Sequence, residues 1–297
     1  MRKLSILLLA VLITPALATL ANAGSRIEKN LKLEPNGRFV LESDVGSVTL
    51  TGASSSGARV VITFDRDDFA SLYNINFGEN PGSASVTVRR KDHFGWNNHL
   101  SVHFEVEVPS QTQTEIRTGG GSIKLANLRG DSELKTSGGA IEVSGLSGKL
   151  DARTSGGPIH LQEIGGDTRV DTSGGQIEAA SIDGSLTAHT SGGPIRVDRV
   201  TGYVEAKTSG GPISVNFGRG SPRGGMLETS GGSIEAGVDR SSNLEIDAST
   251  SGGSVTSDLP IQVVGKISNT SLHGSLGSGG EMLHLHTSGG SIRIRAL

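Results

Sequence analysis

Four consecutive blocks of equal length decide how this chain folds: TSGGAIEVSGLSGKLDAR (136–153), TSGGPIHLQEIGGDTRVD (154–171), TSGGQIEAASIDGSLTAH (172–189) and TSGGPIRVDRVTGYVEAK (190–207). Each opens on Thr-Ser-Gly-Gly-x-Ile, and each is 18 residues long. Outward from them, the opening Thr-(Ser/Gly)-Gly-Gly-x-(Ile/Val) recurs at Thr118, Thr208, Thr229, Thr250 and Thr287, with a weaker copy at Thr270. A fixed short period marks one supersecondary unit stacked on itself, not a core closed around a pocket.

With each Thr as position zero, position five reads Ile123, Ile141, Ile159, Ile177, Ile195, Ile213, Ile234, Val255 and Ile292. Position seven is mostly aliphatic. Apolar residues return at positions ten and sixteen, with Gly130, Gly148, Gly166, Gly184 and Gly202 between the halves. Spacing of two within each half is the strand period. Each rung therefore reads as two short strands joined by glycine corners. One rung cannot bury its apolar face alone, but stacked rungs can, each strand pairing in parallel with its copy about 4.8 Å above. The expected fold is all-β, a β-helix-like parallel β-solenoid, preceded by an irregular β region.

The Gly-Gly pairs are expected at corners that need positive φ. A strand follows each pair where a phosphate-binding loop needs a helix, and the recurring Asp of calcium-binding nonapeptide repeats is missing. Pro158, Pro194 and Pro212 stiffen the corner, so pairing starts just after them. Thr at position zero shares a side of the second strand with positions fourteen and sixteen. It is expected to point inward, methyl packed and hydroxyl bonded to backbone or to the next Thr. On the outside, Glu115, Glu133 and Asp151 form an acidic column beside the basic column Arg117, Lys135 and Arg153. Salt bridging is the expected use of these columns, rather than divalent-cation binding.

Composition fits a thin repetitive core: 44 Gly among 297 residues, 3% aromatics, no Cys. Absence of Cys excludes disulfides and thiolate chemistry. The formal charge of −3 argues against neutralising nucleic-acid phosphates. Met1-Arg2-Lys3, the apolar run Leu4–Leu20 and Ala21-Asn22-Ala23 read as a signal peptide over 1–23, with Gly24 the expected mature start. No other stretch has the roughly 20 apolar residues of a membrane span.

Residues 24–110 are expected to form an irregular N-terminal β region or cap continuous with the solenoid of 111–297. Residues 24–36 read as irregular, followed by strands at Arg38–Leu41, Ser47–Leu50, Arg59–Phe64, Ser83–Arg89 and Leu100–Val108. The loop 91–99 holds the sole Trp; His93, Trp96 and His99 make it a candidate binding loop, with a hairpin tip covering an open edge as the plainer reading. The two His lack a third metal ligand. The insertion 217–224 adds Arg219 and Arg223 as candidate contacts. Arg293 and Arg295 read as charge guards on a terminal strand.

Gly46-Ser47-Val48-Thr49-Leu50, the Val106-Glu107-Val108-Pro109 boundary and the Thr-Ser-Gly-Gly-x-Ile rungs together resemble the bacterial "putative adhesin" family of exported β-solenoid domains of unknown function, over residues 37–297. The resemblance implies an envelope or extracellular protein with an adhesive or scaffolding role. It brings no catalytic, cofactor-binding or metal-binding residues.

The residues themselves agree. There is no nucleophile elbow and no His-x-x-x-His helix, and His160 and His189 stand alone on repeat faces. The expected function is a non-catalytic exported surface or envelope protein, periplasmic or extracellular. It would bind a protein or glycan ligand or self-associate through the solenoid ends. A polysaccharide-active β-helix enzyme is the alternative, which scarce aromatics disfavour. An ice-binding solenoid is a second, which an inward Thr column disfavours.

Overall fold

The computed structural model describes residues 25–65, 69–91, 101–218, 223–263 and 268–297. Two sheets, of 13 and 14 strands, face each other along a rod. Each rung gives one strand to each sheet. In the Thr136 rung, Ser132–Thr136 lies in the larger sheet and Ile141–Ser147 in the smaller. Neighbouring rungs pair in parallel and in register: Ile141 lies opposite Ile123 and Ile159, and Thr136 opposite Thr118 and Thr154. The Ile column is fully buried from Ile123 to Ile234 and again at Ile292. This is the expected solenoid.

The glycine corners differ from expectation in their reason. No glycine of the Thr-x-Gly-Gly pairs has positive φ. Close approach is what requires them. A Cβ on Gly157 would lie 2.0 Å from the Gly139 carbonyl oxygen, and one on Gly175 would lie 1.9 Å from that of Gly157. The first glycine of each pair is far less crowded; a Cβ on Gly156 would meet nothing nearer than 3.8 Å. Positive φ falls instead at position nine, where the first strand of each rung bends. Asn127, Gly145, Glu163, Ser181 and Arg199 stack there with φ between 58° and 64°.

The inward Thr column is present, and its partner is backbone. From Thr136 to Thr208 each hydroxyl donates to the carbonyl of the second glycine one rung below, at 2.8–3.0 Å, and accepts from the second glycine N–H of its own rung at 3.2–3.3 Å. The Pro residues leave the ladder intact. Strands start at Ile159, Ile195 and Ile213, while the Pro carbonyls accept from the rung below.

Stacking order departs from sequence order at both ends. In the smaller sheet, Ile292–Ala296 lies between Ile234–Val238 and Val255–Ser257. In the larger, Glu281–Thr287 lies between Gly225–Thr229 and Leu244–Thr250. The C-terminal rung is therefore inserted beneath an earlier one, and the Thr hydroxyls record it: Thr287 donates to Gly232 O, and Thr250 to Gly290 O, each at 2.7 Å. Arg293 and Arg295 are consequently not edge guards. They sit on an internal strand, Arg293 paired with Asp258 and Arg295 with Glu235. Thr270 opens no rung, because the strand after it, Ser271–Leu276, runs antiparallel to Leu244–Thr250.

At the other end, the rung of Ser83–Arg90 and Val102–Pro109 stacks outside that of Arg38–Ser43 and Ser47–Ala53, although it comes later in the chain. Residues 24–36 are not wholly irregular, since Ser25–Leu31 pairs antiparallel with Ala58–Phe64. Tyr73–Asn80, unforeseen as a strand, pairs antiparallel with Ser83–Arg90. Antiparallel strands thus terminate both sheets at this end; at the other end they terminate the larger sheet, while the smaller ends on the three-residue parallel strand Val255–Ser257. Aromatics gather at the N-terminal end: Phe69 stacks on Phe64 and Tyr73 at 4.4 and 4.8 Å.

Candidate functional site

Outward side chains of the smaller sheet come from positions six and eight of each rung. Because rungs stack in register, these positions become rows along the rod. Position six forms a charged row in which Lys124 bonds Glu142 at 2.9 Å, His160 lies 3.1 Å from Glu178, and Arg196 lies 3.6 Å from Glu178. Position eight forms a row of small or polar residues, Ala126, Ser144, Gln162 and Ala180, ending in Asp198 and Asn216. The two rows line an open groove of about 980 Å³ spanning seven rungs, from Thr49 to Asn216. It is long and shallow, suited to an extended ligand.

The larger sheet is the more strongly charged. Arg117 bonds Glu115 at 2.7 Å and Glu133 at 3.0 Å, and Arg153 reaches Asp151 at 2.7 Å and Asp171 at 3.5 Å. His189 bridges Asp171 and Glu205, 3.3 Å from each. The acidic and basic columns are therefore interlocked. Lys135 and Arg117 hold the Glu133 carboxyl below its ordinary range, and Lys207 does the same for Glu205.

Two Ser–His pairs went unforeseen: Ser47 Oγ to His103 Nδ1 at 2.8 Å and Ser249 Oγ to His286 Nδ1 at 3.0 Å. Each pair joins cross-strand neighbours on an outer face, and among the described residues neither imidazole has a carboxylate partner. They lack the orienting group of a catalytic triad. Among the described residues no group of three or more His, Cys, Asp or Glu is placed to hold a metal ion.

The sequence candidates fare unevenly. His93, Trp96, His99 and Arg219 lie outside the described residues, as does the segment 1–23 read in the sequence as a signal peptide. The described strands before and after the Trp loop, Ser83–Arg90 and Val102–Pro109, fall in different sheets. Arg223 is described and exposed, and shares a depression with Asp167, Asp183 and Thr201 across three rungs. It is separate from the groove. The groove itself was unread in the sequence, although the position-six row was visible as an alternation of charge.

The toastrack DUF4097 family pattern matches residues 40–295. The chain belongs to this family. No curated protein matches it in sequence. Similar solved structures include a putative adhesin of Bacteroides fragilis, at 14% identity and a TM-score of 0.45, covering 92% of this chain and 97% of that one. Another is a putative lipid binding protein of Parabacteroides distasonis, at 12% identity and 0.43, covering 92% and 97%. A third is a putative cell adhesion protein of Clostridium sporogenes, at 11% and 0.27, covering 92% and 100%. Similarity this low carries no argument about what this toastrack chain binds. No helix among the described residues is long and apolar enough to cross a membrane.

Proposed function

We propose that this toastrack protein is an exported, non-catalytic component of the cell surface or envelope, an adhesin or scaffold that docks an extended protein or glycan ligand in the groove of its smaller sheet. The observation that carries this reading is the groove's form. In-register stacking lays a polar row of small residues along seven rungs beside a charged row that is already paired within the protein. Such a surface offers repeated hydrogen-bonding groups along an extended line. The leader-like N-terminus supports export.

The test is capture of the mature protein by envelope fractions and by immobilised glycans, beside a variant with Ala180→Trp filling the groove floor. Retention of the wild type and loss of at least tenfold in the variant, with unchanged thermal stability, are expected. Equal binding by both would move the site elsewhere. Turnover of any polysaccharide by the pure protein would overturn the non-catalytic reading in favour of a β-helix enzyme. The ice-binding reading loses its surface, because the Thr column is buried.

A further inference from the structure

The rung of Glu281–Thr287 and Ile292–Ala296 fills a slot between two rungs that both precede it in the chain. The Thr229 and Thr250 rungs follow one another in sequence, yet their strands do not pair. Between them sit Glu281–Thr287 and Ile292–Ala296, with Leu283, Leu285, Thr287, Ile292 and Ile294 fully buried. The inserted segment is tied to the preceding strand, Ser271–Leu276, by the hinge Gly277-Ser278-Gly279-Gly280, with φ of +64° at Gly277 and +74° at Gly279. The hinge wraps around the start of Leu244–Thr250, since Leu244 lies opposite Leu276 on one side and Glu281 on the other.

We propose that Glu281–Leu297 is an exchangeable rung, and that the partner it fits is the same slot in a second copy of this chain. The slot selects a Thr-Ser-Gly-Gly rung: its floor offers the Gly232 carbonyl to a Thr hydroxyl, and its roof, Thr250, needs a glycine carbonyl to donate to. A second copy supplies that rung with every contact preserved, so reciprocal exchange alters only the hinge and closes as a two-fold dimer. Simple end-to-end stacking is the poorer route. The terminal strands Val255–Ser257 and Gln262–Val263 are three and two residues long, and the second is antiparallel to its neighbour. Withdrawing the folded rung would expose its whole apolar set, so exchange takes place during folding, when the slot is open, and then persists.

The chain has no Cys, so a single introduced pair reports the connection. Met226 and His284 are register partners across the slot, both outward and half-buried. Full-length protein carrying Met226→Cys and His284→Cys is refolded at low micromolar and at near-millimolar concentration, oxidised, separated by gel filtration and run on a denaturing non-reducing gel. Dilute refolding is expected to give monomer with an internal disulfide. Concentrated refolding is expected to give at least a fivefold larger dimer fraction that survives dilution and runs as a covalent dimer. Monomer alone at every concentration would overturn the proposal. So would a dimer that runs as a monomer on the denaturing gel, because its rungs would not have crossed. Should that pair impair folding, Glu235→Cys with Arg293→Cys, register partners in the other sheet, gives the same two readings.

Discussion

The middle of the rod and its ends use the same rung under different rules. From Thr118 to Thr229, stacking order is sequence order, every pairing is parallel, and each Thr hydroxyl reaches back to the rung before it. At both ends stacking order breaks from sequence order, the later 83–109 rung lying outside the 38–53 rung at one end and the earlier Thr250 rung outside the Thr287 rung at the other, and antiparallel strands join the sheets. The period says what a rung contains. It does not say which rung lies on which, because that is set by the need to cover the last open edge.

The largest expected effect falls on the glycine spine of the middle. Gly157→Ala drives a methyl into the Gly139 carbonyl 2.0 Å away, where only backbone could yield. It should cost about 3 kcal/mol or more, given typical overpacking penalties. Gly156→Ala, one residue away, should stay within about 0.5 kcal/mol of wild type. Urea unfolding of the two variants measures both, and equal costs would show that the corner is not close-packed as described.

The Thr spine sharpens the contrast between middle and end. Thr172→Val removes the donor to Gly157 O and the acceptor for Gly175 N–H, leaving both unpaired in a buried corner. The expected loss is about 1–3 kcal/mol. In a one-dimensional stack a lesion acts on its neighbours. Thr250→Val should therefore reduce amide-exchange protection over 244–276 and leave the middle rungs protected, whereas Thr172→Val should weaken both halves.

The bend column supplies a gain. Glu163 holds a left-handed backbone, φ 58°, and is exposed. Glu163→Gly relieves that conformation and should raise stability by about 0.5–1 kcal/mol, the left-handed penalty being partly offset by the entropy of glycine. Its reading is a higher melting temperature.

The smallest effect is electrostatic. The folded state holds Glu133 and Glu205 below the usual 4.5, so their contribution is present above that pH and is lost as pH falls through the lowered folded values. Exposed pairs contribute about 0–1 kcal/mol each. The melting-temperature gap between wild type and Glu133→Gln should therefore be small at pH 7 and vanish in acid below 4.5.

What the sequence disclosed follows the same division. The Ile column, the inward Thr column and the interlocked charge columns were legible because each is a local choice repeated at fixed spacing. The glycine corners were legible as corners but not in their cause, since a close approach between rungs leaves the same residue as a positive φ. The true left-handed column was hidden because Glu163, Ser181 and Arg199 occupy it beside only two residues suited to it, Asn127 and Gly145. The inserted rung was illegible. Thr250 and Thr287 open identical motifs, and only the geometry of the far end decides which lies inside. The groove was missed for a related reason: small residues at position eight gain meaning only once seven rungs are aligned.

Distances along the smaller sheet test the stacking most directly. Spin labels paired from position 124 to 235, 293 and 256 lie six, seven and eight rungs apart by the pairings found here. At about 4.8 Å per rung the separations should be roughly 29, 34 and 38 Å. Position 293 is expected to lie nearer to position 124 than position 256 does. The reverse order would restore simple sequential stacking and remove the slot, and a 124–235 distance far from 29 Å would contradict the flat parallel stack itself.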